Sequence, residues 1–138
     1  MPALTLRIRT PGSGLHEITE EVITALNSLG VSNGLCTIFI RHTSASLIIQ
    51  ENADPSARRD LERWLNRLVP EGDPLYTHTA EGPDDMPSHI KAILTSTTLS
   101  IPFVSGQLVL GRWQGIYVWE HRTSPHTREI VIHASDEA

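Results

Sequence analysis

Hydrophobic and polar residues alternate at the start of the chain and predict a β-strand there. Leu4, Leu6 and Ile8 are separated by polar residues, so one face of the strand can be buried while the other meets solvent. Proline and glycine within residues 11–14 have the chemistry of a turn. We therefore expect the first element to be a half-buried strand that ends at this turn.

In two later segments the apolar residues recur at the spacing of a helix. The first is expected to begin at Thr19, whose hydroxyl can cap it, and to end at Gly30. The second has the strongest helix signals in the chain, with Asp54 as N-cap, Pro55 at the first helical position and Pro70 beyond its end. Its apolar residues recur on one stripe and predict a single buried face: Ala57, Leu61, Trp64, Leu65 and Leu68.

A third, shorter helix is expected after an acidic loop. Asp85 is placed to cap it, and Ile90, Ile93 and Leu94 are expected to face the core.

The remaining apolar segments are typical of strands joined by short turns. They cover residues 34–41, 47–49, 99–104, 107–110, 113–121 and 129–133. Because strands outnumber helices and their connections are short, we predict an α+β fold. It is a single domain over residues 1–138, in which a mostly antiparallel β-sheet or sandwich has two to three helices packed against it.

Composition excludes several classes of protein. A chain of 138 residues suits one domain, and its net charge of −5 lacks the basic surface that supplies most nucleic-acid affinity. No apolar run approaches the ~20 residues that span a bilayer, and the N-terminal residues do not have the pattern of a signal peptide. A single cysteine, Cys36, excludes an internal disulfide framework and fits a reducing compartment. We expect a cytoplasmic protein that binds neither nucleic acid nor membranes.

Polar residues follow the strand predicted at 34–41. His42 continues the apolar face of this strand, so its ring is expected at the mouth of a pocket. The hydroxyls of Thr43, Ser44 and Ser46 come next and can hold an oxyanion beside backbone amides. A strand end followed by an ordinary polar turn explains the same residues.

Two histidines and three carboxylates lie within the fourteen residues 78–91. His89 is expected to be half-buried at the start of the short helix, and a carboxylate behind a half-buried imidazole is the usual arrangement around a zinc ligand. The eleven-residue separation of His78 and His89 matches no fixed zinc signature, so spacing alone leaves the metal site open.

The strand predicted at 113–121 brings a glutamate to its end. Glu120 lies on the same face as two apolar residues, and a buried glutamate needs a cation or metal beside it. His121 and Arg122 can bracket a phosphate, with Arg128 across the following turn. The alternative is an edge hairpin with a surface salt bridge.

Three arginines recur one turn apart on the second helix. Arg59, Arg63 and Arg67 can form an anion-binding ridge, or they can belong to a solvated face with weak ion pairs. The sequence favours the solvated face.

The chain resembles the YjbQ family, also called UPF0047, in three segments: HTSASLIIQENADP (42–55), HTAEGPDDMPSHIK (78–91) and GRWQGIYVWEHR (111–122). The similarity runs from about Leu4 to Ala134. It implies an α+β domain that forms a homotrimer, with histidine-containing clefts near the subunit boundaries. It also implies a weak or promiscuous secondary thiamine-phosphate synthase activity.

The resemblance assigns roles to the candidate residues. His42, His78 and His89 match family histidines and become the expected ligands of a divalent metal such as zinc. Our leading hypothesis is an enzyme that joins a thiazole phosphate to a pyrimidine diphosphate and releases pyrophosphate. Its expected catalytic residues are Glu120, Asp85 and His89. Phosphorylated substrate is expected to contact Thr43, Ser44, Ser46, Arg122 and Arg128.

Two other functions fit the same residues. One is a non-enzymatic trimeric protein that binds a metal or a phosphorylated metabolite. The other is a zinc-assisted hydrolase of an ester or lactone.

Overall fold

Residues 3–136 are described by a computed structural model, in which they form two antiparallel sheets and three helices. The strands are β1 (Ala3–Thr10), β2 (Gly14–Glu17), β3 (Gly34–Ile40), β4 (Ala45–Glu51), β5 (Thr98–Val104), β6 (Gln107–Leu108), β7 (Gln114–Glu120) and β8 (His126–Asp136). The helices are α1 (Thr19–Ser28), α2 (Pro55–Leu68) and α3 (Asp85–Leu94). The predicted α+β class is confirmed. The ends of the predicted domain, 1–138, lie outside the described residues.

The smaller sheet is sandwiched between the larger sheet and α2. The larger sheet has the strand order β1-β8-β3-β5-β6, and the smaller has the order β2-β7-β4. Side chains alternate along β7, so Ile116 and Val118 join the main core while Tyr117 and Trp119 pack with Leu65 of α2. Both faces of β7 are therefore buried.

This alternation also sets the position of Glu120. It lies on the same face as Ile116 and Val118, at the end of β7, where it pairs with Ala45 of β4 and Gly14 of β2. The predicted delivery of this carboxylate by an apolar strand is confirmed.

Helix α2 begins as predicted, but its buried stripe is narrower. The Asp54 carboxylate accepts a hydrogen bond from the Ser56 amide at 2.9 Å. Leu65 is buried, whereas Trp64 and Leu68 are 51% and 53% exposed, so the prediction of their burial was wrong. The buried part of the stripe is the part that packs with Tyr117 and Trp119 of the smaller sheet, namely Leu65 with Leu61 beside it.

Helix α3 packs Ile90 against the core in part, as predicted, but exposes the other two residues expected to face inward. Ile93 and Leu94 are 81% and 55% exposed, while Asp85, Ser88 and Lys91 are buried. These polar groups are bonded internally: the Ser88 hydroxyl, for example, donates to the backbone carbonyls of Asp84 and His121. Asp85 is the first helical residue and does not cap the helix, because Asp84 occupies the N-cap position.

The start of α1 also differs from the prediction. Thr19 is the first helical residue, following an N-cap at Ile18, and its hydroxyl accepts the amide hydrogen of Ile116 at 2.9 Å. Strand β2, just before this helix, was not predicted. Leu15 is its one buried residue, and a single apolar position is too short a pattern to indicate a strand.

Candidate functional site

Two histidines and two carboxylates converge at the start of α3. One ligand-type atom from each of His78, Glu81, Asp85 and His89 lies within 4.8 Å of the others. Asp85 and His89 are one turn apart on α3 and share a face, while His78 and Glu81 come from the preceding loop.

The Asp85 carboxylate lies between the two imidazoles. Its Oδ2 atom is 2.7 Å from Nε2 of His78 and 3.1 Å from Nε2 of His89. Glu81 approaches His78 from the solvent side, with 3.0 Å between Oε2 and Nε2. Both imidazoles therefore direct Nε2 toward carboxylate oxygens.

The backbone sets the tautomer of His89. Its Nδ1 atom is 3.0 Å from the carbonyl oxygen of Thr43, and because a carbonyl only accepts, Nδ1 carries the hydrogen. In the neutral ring Nε2 then has a free lone pair that faces a second acceptor, Oδ2 of Asp85. A proton or a metal cation between these two atoms relieves their repulsion. A carbonyl behind the ring is also the usual support of a metal-binding histidine.

Asp85 is held as a carboxylate inside the protein. Burial opposes its ionisation, but the hydrogen bond with His78 and the charges of His89 and Arg122 lower its pKa below the usual value. Its second oxygen, Oδ1, accepts a hydrogen bond from Nη1 of Arg122 at 2.7 Å. Asp85 thus presents one oxygen to the histidines and the other to a guanidinium.

Arg122 holds this loop together through hydrogen bonds to three of its residues. Its guanidinium donates to Asp84 at 3.0 Å, to Asp85 and to the backbone carbonyl of Glu81 at 3.0 Å. The hydrogen bond to Asp84 and the nearby acidic charges raise the pKa of Arg122 despite partial burial. The geometry therefore does not fit its predicted role as a phosphate ligand.

Glu120 and Arg128 form a buried ion pair. Both oxygens of Glu120 accept from Arg128, one of them at 2.7 Å, and Thr10 donates at 2.6 Å. Burial opposes ionisation of Glu120, but these bonds lower its pKa. The prediction of a cation beside Glu120 is confirmed. Its side chain is fully enclosed, so it does not fit the predicted role of general base, and Arg128 is not free for phosphate.

The three candidate hydroxyl residues also differ from expectation. Ser44 is buried and accepts from Arg128 through its hydroxyl at 3.0 Å. Ser46 is fully buried, with its hydroxyl 2.9 Å from Nε2 of His121. Thr43 alone of the three is exposed, and its carbonyl positions His89. Ser44 and Ser46 are therefore internal network residues in this structure.

His42 does not join the cluster. Its Nε2 atom accepts the amide hydrogen of Glu129 at 2.7 Å, and its Nδ1 atom is 3.3 Å from Nη1 of Arg128. Burial, followed by the charge of Arg128, lowers its pKa. The cluster in the structure thus contains two imidazoles and two carboxylates, whereas three imidazoles were expected together. Glu81 was not among the expected metal ligands, although its position three residues after His78 already suggested that the two side chains lie close together.

Comparison with known proteins places this chain in a family. Residues 4–137 match the family model described as UPF0047 protein YjbQ-like. The chain belongs to this family.

Bacterial members of the family are similar over nearly the whole chain. The chain is 52% identical to UPF0047 protein sll1880 of Synechocystis, over 96% of this chain and 90% of that one. It is 41% identical to UPF0047 protein YjbQ of Escherichia coli O157:H7, over 92% of both chains. The crystal structure of the conserved hypothetical protein TT1486 from Thermus thermophilus superposes with a TM-score of 0.86 at 34% identity, covering 96% of this chain and 99% of that one.

In this YjbQ family member, two open clefts adjoin the cluster. One, of about 450 Å³, is lined by His78 together with Tyr76 and Met86. The other, of about 470 Å³, is lined by His89 and Thr43 among others. Each imidazole thus borders a separate cleft. None of the described helices combines the length and the apolar character needed to cross a membrane.

Proposed function

We propose that the protein is a metal-dependent enzyme acting on small molecules, with a divalent ion such as zinc held by His78, Asp85 and His89. One observation carries the proposal. The Nε2 atoms of both histidines point at one carboxylate oxygen, and the Thr43 carbonyl leaves the His89 lone pair facing it.

The donor set fits a zinc-type ion. Two imidazole nitrogens and a carboxylate oxygen are common zinc ligands, and catalytic sites use three protein ligands with one position left open. Glu81 lies at the solvent side of the set, with a side chain 64% exposed. It is the better candidate for a general base than Glu120, which is enclosed.

The favoured chemistry is hydrolysis of a small ester or lactone. A bound divalent ion would supply Lewis-acid polarisation of the substrate oxygen. Glu81 would take the proton of the attacking water and return it to the alcohol oxygen as its C–O bond breaks, while Arg122 holds Asp85 and the Glu81 backbone in place.

A second candidate is the thiamine-phosphate synthase-like transfer implied by the family resemblance. It is favoured by the two clefts, since a transferase must hold two substrates beside one reacting centre. Arg122 and Arg128 already pair with carboxylates, so the charge of the released pyrophosphate would have to be balanced by other cations.

The metal site is tested by titrating Zn²⁺ into the metal-free protein and its variants in a calorimeter. We expect Asp85→Asn to weaken zinc binding about 100-fold or more, because it removes the shared ligand charge. Asp60→Asn removes the same charge from the exposed side of α2 and should bind zinc like the parent chain. Equal affinity in all three proteins would contradict the proposed ligands.

Turnover is tested on the zinc-loaded protein with two substrate sets: small esters and lactones, and a thiazole phosphate with a pyrimidine diphosphate. Glu81→Gln should retain zinc but lower turnover by about 10²–10⁴-fold. If the protein binds zinc but turns over neither substrate set, the enzyme hypothesis is contradicted and the non-enzymatic binding protein is favoured.

We also propose the homotrimer. The outer face of the larger sheet exposes Leu35, Phe39 and Val104 at 40%, 45% and 58%, an apolar surface that a second copy can cover. Sedimentation at micromolar concentration should give the trimer mass for the parent chain and a smaller species for Phe39→Asp. A monomeric parent chain would contradict this. The cytoplasmic location expected from the single cysteine stays a prediction.

A further inference from the structure

A group of cationic side chains surrounds a cavity on the side of α3 away from the histidine–carboxylate cluster. Two adjoining cavities of about 210 and 240 Å³ lie between β2, α2, α3 and the end of β7, and share several lining residues. We call them together the α2–α3 cavity. Its polar lining includes Ser13, Arg59, Arg63, Asn66, Lys91 and His121.

Lys91 is a buried ammonium group with spare donors. It is 8% exposed, and its Nζ atom donates to Oδ1 of Asn66 at 2.6 Å. Within residues 3–136 it forms no salt bridge with a carboxylate. Because an ammonium has three donors, two remain for a ligand in the cavity.

Arg59 and Arg63 supply further positive charge. They are one turn apart on α2, so they share a face, and both line the cavity. Neither forms a salt bridge within the described residues. Of the arginine ridge considered from the sequence, these two members face the cavity, and Arg67 is outside its lining.

His121 presents an unpartnered nitrogen. The residue is 3% exposed and lines both cavities, and its Nε2 atom is 2.9 Å from the Ser46 hydroxyl. Its Nδ1 atom is buried without a hydrogen-bond partner among the described residues. Buried polar atoms are nearly always satisfied, so an unpartnered nitrogen on a residue of the cavity lining is a candidate contact for a ligand.

The cavity wall also carries carboxylates, two of which have arginine partners. Glu120 is neutralised by Arg128, and Asp84 shares Arg122 with Asp85. Against the other two, Glu62 and Glu71, the wall has three cations: Lys91 and the two arginines of α2. Glu62 is already occupied by the Leu15 amide, which donates to it at 2.7 Å.

We propose that the α2–α3 cavity binds a phosphate-class anion, either inorganic phosphate or the phosphoryl group of a small metabolite. Lys91 supplies buried charge, the arginines supply donors that match phosphate oxygens, and His121 donates from Nδ1. The cavity size suits a phosphoryl group with a small substituent.

This anion site is distinct from the histidine–carboxylate cluster. Lys91 is two residues beyond His89 on α3, about 200° around the helix, so the two side chains point to different sides. The inference therefore goes beyond the proposed function and does not depend on a metal.

The test is titration of the metal-free protein with inorganic phosphate and, separately, with glycerol phosphate as a minimal phosphomonoester. Binding is followed by calorimetry and by the ¹⁵N signals of the imidazoles. We expect saturable binding of one or both anions that shifts the His121 signal and leaves those of His78 and His89 unchanged. Tighter binding of the monoester assigns the site to a phosphorylated metabolite, and tighter binding of phosphate assigns it to the free ion.

Variants distinguish binding of the anion in the cavity from its nonspecific attraction to surface charges. Lys91→Met should weaken binding at least tenfold while zinc binding is retained, and Asp85→Asn should leave phosphate binding unchanged. Arg67→Gln, on the same helix but outside the cavity lining, is the matched control and should bind like the parent chain. If Lys91→Met does not fold, the exposed pair Arg59→Gln with Arg63→Gln tests the same cavity. Binding of neither anion, or equal affinity in the cavity variants and the control, would overturn the proposal.

Discussion

Arg128→Met is expected to lower the free energy of unfolding by about 3–5 kcal/mol. The substitution removes every cation that touches the Glu120 carboxylate, whose side chain is fully enclosed. A buried charge without its partner retains the full cost of leaving water. The change also frees the hydroxyl and carbonyl of Ser44, which accept from the same guanidinium. Urea denaturation monitored by tryptophan fluorescence measures the loss.

Two further variants show whether the loss comes from the unpaired charge. Glu120→Gln combined with Arg128→Met should be more stable than Arg128→Met alone, because the double variant buries no charge. Arg9→Met removes an exposed arginine of β1 and should change stability by less than about 0.5 kcal/mol. A loss from Arg128→Met no greater than that of Arg9→Met would show that the ion pair does not stabilise this region.

Features that depend on neighbouring residues were predictable from the sequence. Asp54 and Pro55 begin α2 as expected, because capping and a fixed proline φ act within one turn. The alternation of β7 placed Glu120 on the core side and implied a cation beside it, since side chains alternate strictly along a strand. The cation proved to be Arg128.

Features that depend on distant partners were not predictable. Periodicity placed Ile93 and Leu94 inside, but the polar face of α3 is buried because its partners come from other elements: Lys91 bonds Asn66 of α2, and Ser88 bonds the His121 carbonyl. A helical pattern carries no information about such contacts.

The contacts of the predicted phosphate ligands also depend on distant residues. Arg122 was expected at a phosphate, but it bonds Asp84 and Asp85, which are 38 and 37 residues away along the chain. Among the arginines that form no salt bridge within residues 3–136, Arg59 and Arg63 line the α2–α3 cavity, on the helix where the sequence favoured a solvated face. Deciding which cation is free requires the folded pairing, which the order of residues does not reveal.

The buried imidazole of His121 is expected to make the fold sensitive to mild acid. Burial, assisted by the charge of Lys91, lowers its pKa to about 3, whereas an unfolded histidine titrates near 6.5. Between these values the unfolded chain binds a proton that the folded protein does not, so the free energy of unfolding falls as the pH is lowered from about 6.5 toward 3. From pH 7 to pH 5 this group alone should remove about 2 kcal/mol.

His121→Gln should remove this part of the pH dependence, whatever its effect on stability at pH 7. Urea denaturation at half-unit steps from pH 7 to pH 5, without phosphate in the buffer, should therefore give a flatter profile than the parent chain. Glu120 does not contribute to the pH dependence between pH 7 and pH 5. Its lowered pKa changes the free energy of unfolding only below the ordinary glutamate pKa near 4.3. His126→Gln, which removes a half-buried imidazole at the start of β8, is the matched control for the loss of a ring. If the free energy of unfolding of His121→Gln falls with pH as steeply as that of the parent chain, the prediction is contradicted, because the folded protein then protonates His121 as readily as the unfolded chain. In that case the protonated Nδ1 needs an acceptor in the α2–α3 cavity.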